Sequence, residues 1–198
     1  RSVLEAALGA GINHIETAPA YGPAEQFLGE ALRHLEAHDP INRHQLVITS
    51  KLLPGCGDGL GVHDGLDQVR GSLRRLGLKR LDNLAIHGLN TPEHLAWALR
   101  GPGGDLLKAV IDAGLVDQVG FSSHGSTDVI ETALASGRFS FCSLHLHLFD
   151  QERLPLARAA LDAGIGVMAI SPADKGGRLY DPPRSEEHTS ELQSPCNL

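Results

Sequence analysis

The feature that most constrains the fold is an alternation that runs the length of the chain. Short apolar runs at 12–16, 46–52, 82–87, 117–123, 141–149 and 166–171 are separated by segments with helical spacing. The segment 24–35 puts Phe27, Leu28, Ala31, Leu32 and Leu35 on one face, and 65–76 does the same with Leu66, Val69, Leu73 and Leu76. A third helix starts at Pro92 behind Thr91 as N-cap, is interrupted by GPGG at 101–104, and resumes to Ala113. Helices at 3–9, 127–136 and 152–163 complete the pattern. Strands that alternate with helices form parallel units. The chain is therefore read as α/β, an incomplete (β/α)8 TIM barrel with about six of its eight strands. A doubly wound sheet is the alternative, but no GxGxxG follows any strand. Six strands leave two open sheet edges, which predicts an aggregation-prone, weakly folded and inactive chain.

Composition narrows the partners. With 41% hydrophobic and 21% charged residues there is material for a core. A net charge of -7 sets nucleic acid aside, because phosphate binding needs a basic face. No apolar run approaches the roughly 20 residues of a membrane span. Cys56, Cys142 and Cys196 have neither ligand nor framework spacing, which points to a reducing, cytoplasmic setting without disulfides. No signal peptide is visible, and the chain opens on Arg1 without a Met, so further N-terminal sequence is expected. The segment 184–198, RSEEHTSELQSPCNL, fits no helix or strand template and resembles the translation of a sequencing adapter. The expected organisation is thus a partial barrel over 1–183 and a non-native, disordered tail over 184–198.

In a barrel the C-terminal strand ends form the active face. Glu16 ends the first run, Ser50 and Lys51 lie in the second, and His87 ends the third. Ser122, Ser123 and His124 follow in the fourth, His145 and His147 in the fifth, and Ser171 in the sixth. Tyr21 sits on a small-residue loop just past Glu16. A tyrosine can give a proton to a carbonyl oxygen but is sluggish at its ordinary pKa of about 10. A neighbouring ammonium favours the phenolate, and a carboxylate holds that ammonium charged and in place. A histidine can orient the carbonyl and share its developing charge.

The set Glu16, Tyr21, Lys51 and His87 resembles the catalytic tetrad of the aldo-keto reductase family. GINHIETAPAYG, FLGEAL, VITSKL, LDNLAIHG, VGFSSHG and ISPADKGG support it, from the start of the chain to about Pro183. GINHIETA, NLAIHGLNT and SPADKGGRLYDPP are similar to the branch whose members often carry a C-terminal ferredoxin-like 4Fe-4S domain. The resemblance implies NAD(P)H-dependent reduction of a small-molecule carbonyl, or oxidation of the alcohol, in a longer parent protein. Tyr21 would be the proton donor, Lys51 the ammonium that tunes it, Glu16 the lysine's partner and His87 the orienting group. Ser122 and Ser123 match the position that binds the nicotinamide carboxamide, and Ser171 a loop that touches the pyrophosphate. NADP(H) is expected, with NAD(H) as the alternative. A 4Fe-4S cluster would belong to a domain outside this chain, along with the family's first and last strands.

The departures fall mainly in the cofactor contacts. Glu16 replaces the usual Asp, Ser123 the usual Asn, Leu144 the usual Gln, and Ile170 the usual stacking Tyr. Other readings remain: an electron-transfer partner of an iron–sulfur domain, a non-catalytic nicotinamide-binding subunit, and a barrel metallohydrolase. The last would use His145 and His147, which alternate and so share a strand face, with His87 or His124. No acidic ligand is evident for it, and no metal site is assigned.

Overall fold

The computed structural model describes residues 3–38, 45–55 and 59–174. The tail at 184–198, Cys56, Cys196 and part of the glycine-rich stretch at 55–61 lie outside them. Six strands, β1 (His14–Glu16), β2 (Val47–Leu52), β3 (Leu81–His87), β4 (Val116–Ser123), β5 (Phe141–His145) and β6 (Gly166–Ile170), form one sheet in chain order. Every pairing is parallel. The sheet curls into a half-barrel, as the strand–helix alternation predicts. Between the strands run α2 (Ala24–His38), α3 (Val62–Leu76), α4 (Pro92–Arg100), α5 (Pro102–Asp112), α6 (Thr127–Ala135) and α7 (Leu154–Asp162), after α1 (Val3–Gly9). No helix among the described residues is long and apolar enough to cross a membrane.

Side chains alternate across each strand, so the sheet has two distinct faces. Ile48, Leu52, Leu84, Ile86, Phe121, Cys142 and Leu144 point to the helix layer and lie in one buried cluster with Leu73, Trp97, Leu106 and Ile130. The opposite face carries Glu16, Thr49, Lys51, Asn83, His87, Ser122, Ser143 and His145. Below the mouth, Ala85 and Gly120 are register partners. A Cβ on Gly120 would stand 2.4 Å from the Phe141 carbonyl oxygen and 2.6 Å from its ring, so glycine is what lets Phe141 enter the lumen.

Several boundaries differ from the sequence reading by one to three residues, and two others differ for a clear physical reason. GPGG at 101–104 does not interrupt the helix over four residues: the break is Gly101 alone, and Pro102 starts α5 at the first helical position, where a missing N–H costs nothing. Gly103 continues that helix because a Cβ there would meet the Trp97 ring at 2.5 Å. The fifth strand ends at His145, not Phe149. Its partner β6 ends at the paired Ile170, and the chain then turns back between His147 and Asp150. The cap read at Thr91 is present, with the His94 N–H donating to its hydroxyl at 3.2 Å.

Candidate active site

The mouth of the half-barrel is set by register. Glu16 pairs with Thr49, so the next inward residue of β2, Lys51, stands one step higher than the acid. The longer reach of Glu over Asp spans that step: Glu16 Oε1 lies 2.6 Å from Lys51 Nζ. Past Glu16, the Thr17 N–H donates to the Thr49 carbonyl at 2.9 Å and keeps the chain against β2. A turn follows, closed by the Tyr21 N–H on the Ala18 carbonyl at 3.0 Å. It swings the phenol back over the strand ends, where Lys51 Nζ donates to Tyr21 Oη at 2.7 Å.

Lys51 is 4% exposed while Tyr21 is 46% exposed. A buried ammonium needs compensation, and here a carboxylate and a phenol oxygen supply it. Because the phenol oxygen accepts from the lysine, its own O–H remains to be donated, and Tyr21 lines the open cleft. The His87 ring stands edge-on to that of Tyr21, centroids 5.4 Å apart. Burial holds the His87 pKa below its ordinary 6.5; the Lys51 charge and His124 push the same way and Glu16 opposes them. His87 is therefore an uncharged imidazole at neutral pH, able to donate one N–H.

These four side chains lie together on a cleft of ≈ 620 Å³, within the range of small-molecule sites. Ser122, His124, Met168, Ile170 and Ser171 also line it. Ser122 Oγ accepts from the Gly88 N–H at 3.1 Å, and its contact as donor to the Ile86 carbonyl is long, 3.5 Å. Ser123 is not brought to the cleft. It is fully buried, and its hydroxyl donates to the Leu89 carbonyl at 2.7 Å and accepts from the Gly125 N–H at 3.0 Å. Ser171 has φ 55, a left-handed backbone that turns the chain at the cleft rim, closed by the Asp174 N–H on its carbonyl at 2.9 Å.

Asn90 was missed by sequence reasoning. It lines the cleft, and its Oδ1 accepts from the His124 N–H at 2.8 Å, joining the loop after β3 to the loop after β4. Its only sequence signal was a place within the NLAIHGLNT motif. Also unseen was a buried ion pair behind Lys51, on the other face of β2. Glu25, at 1% side-chain exposure, lies 2.6 Å from Arg75 Nη2 and accepts from Ser50 Oγ at 2.6 Å.

A model of the aldo/keto reductase family matches residues 1–195. An aldo-keto reductase of Mycolicibacterium vanbaalenii is 32% identical over 191 residues, 92% of this chain and 61% of that protein. An NAD/NADP-dependent indole-3-acetaldehyde reductase of Schizosaccharomyces pombe is 29% identical over 169 residues, 84% of this chain and 55% of that protein. Among solved structures, the Bombyx mori aldo-keto reductase AKR2E4 in complex with NADP superposes with a TM-score of 0.66 at 23% identity. It covers 91% of this chain and 60% of that one. The chain thus spans less than two thirds of the length of these relatives.

Proposed function

The chain belongs to the aldo/keto reductase family, and from that membership we propose that it carries the proton-transfer site of an NAD(P)H-dependent carbonyl reductase. The observation that carries the reading is the contact chain Glu16–Lys51–Tyr21, at 2.6 and 2.7 Å, with His87 beside the phenol. A carbonyl oxygen placed between Tyr21 Oη and His87 meets two donors. His87 aligns the oxygen and polarises it, and Tyr21 gives its proton as negative charge develops there. Lys51 stabilises the phenolate left behind, and Glu16 fixes Lys51 at its post. In the reverse direction the same groups take the proton from an alcohol.

A nicotinamide cofactor, when bound, supplies or accepts the hydride. The described residues fit its nicotinamide end. Ser122 offers a hydroxyl whose donor contact within the protein is long, and Met168 and Ile170 offer an apolar wall. Ser171 stands at the rim, where a pyrophosphate would leave the cleft. Ser123 is assigned to holding the Leu89 carbonyl rather than to the carboxamide. NADP is favoured because the Bombyx mori neighbour is complexed with it, and an aldehyde substrate because the Schizosaccharomyces pombe relative is named for one.

The test is Tyr21→Phe in the complete reading frame, assayed with NADPH and a panel of aldehydes. Loss of a positioned proton donor lowers kcat by about 10²–10⁴, with cofactor binding by fluorescence retained. Undiminished reduction overturns the assignment. Cofactor binding with no turnover in the unmodified protein favours a nicotinamide-binding subunit instead.

A further inference from the structure

Beyond the cleft, β5 runs into a tight turn that gathers three metal-ligating side chains. The His147 N–H donates to the Asp150 carbonyl at 3.3 Å and the Asp150 N–H to the His147 carbonyl at 3.1 Å, so the two residues face each other across the turn. Such a pair projects both side chains to one side, and His145, two residues before His147, shares that face. One ligand atom from each of His145, His147 and Asp150 lies within 4.8 Å of the other two, the one such trio among the described residues. His145 Nε2 is 3.8 Å from Asp150 Oδ2. The imidazoles are 9% and 8% exposed and the carboxylate 33%. Two sheltered nitrogens thus stand behind one oxygen that a solvated cation can reach.

The reductase chemistry leaves this group without a role. His145 Nδ1 is buried with no hydrogen-bond partner, and Nε2 is the nitrogen turned to Asp150. Asp150 has only a distant cation, Arg153 Nη1 at 3.7 Å, whose guanidinium is otherwise committed to the Gly125 carbonyl at 3.1 Å. His147 Nδ1 accepts from the Phe149 N–H at 3.3 Å, which fixes the ring and leaves Nε2 as its ligand atom, and Asp174 Oδ1 stands 3.8 Å from that nitrogen.

We propose that His145, His147 and Asp150 form a binding site for one divalent transition cation of the zinc type. Two imidazoles and one carboxylate suit Zn²⁺, whereas Mg²⁺ and Ca²⁺ favour oxygen ligands. Tetrahedral zinc with bonds of about 2.0–2.1 Å sets its donors about 3.3 Å apart. The 3.8 Å separation between His145 and Asp150 closes to that with a shift of about half an ångström, and the other separations, within 4.8 Å, need at most about 1.5 Å. Three protein ligands leave a fourth position for water. His124, whose ring centroid is 5.5 Å from that of His145, stands between this group and the cleft. The site does not depend on the reductase reading.

The experiment loads the tag-free chain with Zn²⁺, removes excess by desalting, counts retained metal, and measures affinity by competition with a chromophoric chelator. One equivalent is expected, not displaced by excess Mg²⁺. Asp150→Asn and His147→Gln each weaken affinity at least about tenfold, since loss of even an outer-shell partner costs about 10–100-fold. His63→Gln, at an exposed surface pair with Asp64, leaves it unchanged. Substituting Co²⁺ in the unmodified chain gives the visible bands of a four-coordinate ion, a readout that needs no variant to fold. No retained zinc, retention abolished by His63→Gln alone, or a purely octahedral Co²⁺ spectrum overturns the proposal.

Discussion

The two faces of the sheet are made by the same strands from opposite materials. Towards the helices, β2, β3 and β4 present Ile48, Leu52, Leu84, Ile86 and Phe121, all at most 2% exposed. Towards the lumen the residues between them are Thr49, Lys51, Asn83, His87 and Ser122. The outer face gains by leaving water, about 25 cal/mol for each Å² of apolar surface. The inner face gains less of that kind, from Ala85 and Phe141, and relies more on pairing, Thr49 with His14 at 2.8 Å and with Asn83 at 3.2 Å, Lys51 with Glu16 and Tyr21. One face holds the half-barrel together, and the other uses the rigidity so obtained to keep charged groups at fixed distances.

That division is broken most directly by comparing Ile86→Ala with Tyr21→Phe in urea denaturation. Ile86 is fully buried on the outer face, and its truncation is expected to cost about 3 kcal/mol. Tyr21→Phe takes one acceptor from Lys51, which keeps Glu16 and borders the cleft, and is expected to cost about 1 kcal/mol. Cys142 supplies a second gauge of the same contrast. Burial pushes its thiol up to about 11, so alkylation near pH 8 must pass through opening of the fold. Ile86→Ala should speed alkylation at Cys142, read by mass spectrometry, by about 10², and Tyr21→Phe by less than about tenfold. Equal destabilisation by both variants would erase the distinction between the faces.

The sharper case is a place where the outer face is polar. Ser50 faces the helices and donates to Glu25, which Arg75 neutralises from α3, and the Arg75 side chain is itself 33% exposed. Arg75→Met strands a carboxylate in the helix layer and is expected to cost about 3 kcal/mol. The double variant Glu25→Leu, Arg75→Met should recover most of that loss, because a buried pair is costly to break yet replaceable by apolar groups. Additive losses in a double-mutant cycle would show that the two side chains act independently.

The sequence made one face far more legible than the other. Apolar alternation located the outer-face strands to within a residue or two, since burial against helices requires it. Strand ends that carry Glu16, Lys51 and His87 were legible because the barrel fixes where such ends point. Glu25 was not: in the first turn of an amphipathic helix a glutamate reads as solvated, and its partner Arg75 lies 50 residues away. Arg75 itself lies in a basic run with Arg74, Lys79 and Arg80, which reads as a solvated turn. Between Ser122 and Ser123 only strand register decides which hydroxyl faces the cleft. The run at 141–149 kept its alternation past the point where the chain turns, which concealed both the end of β5 and the approach of Asp150 to His145 and His147. Pairing across a turn or between helices leaves no periodic trace.

The smallest effect separating the faces is a titration. His87 is on the polar face, yet burial and the Lys51 charge hold its pKa below 6.5. Between 6.5 and that lowered value the unfolded chain binds more protons than the folded one, so stability falls as pH drops through this window and is constant above it. NMR of the His87 ring should therefore give a midpoint below 6.5, so the proposed carbonyl reduction would have an uncharged His87 throughout the neutral range. Lys51→Met removes the second-largest of the depressing influences and should move the midpoint upward. A midpoint at or above 6.5 in the unmodified protein would mean that the cleft solvates His87 as water does. The polar face would then lack the dry, preorganised setting in which a neutral imidazole and a lysine-paired phenol can act on one carbonyl oxygen.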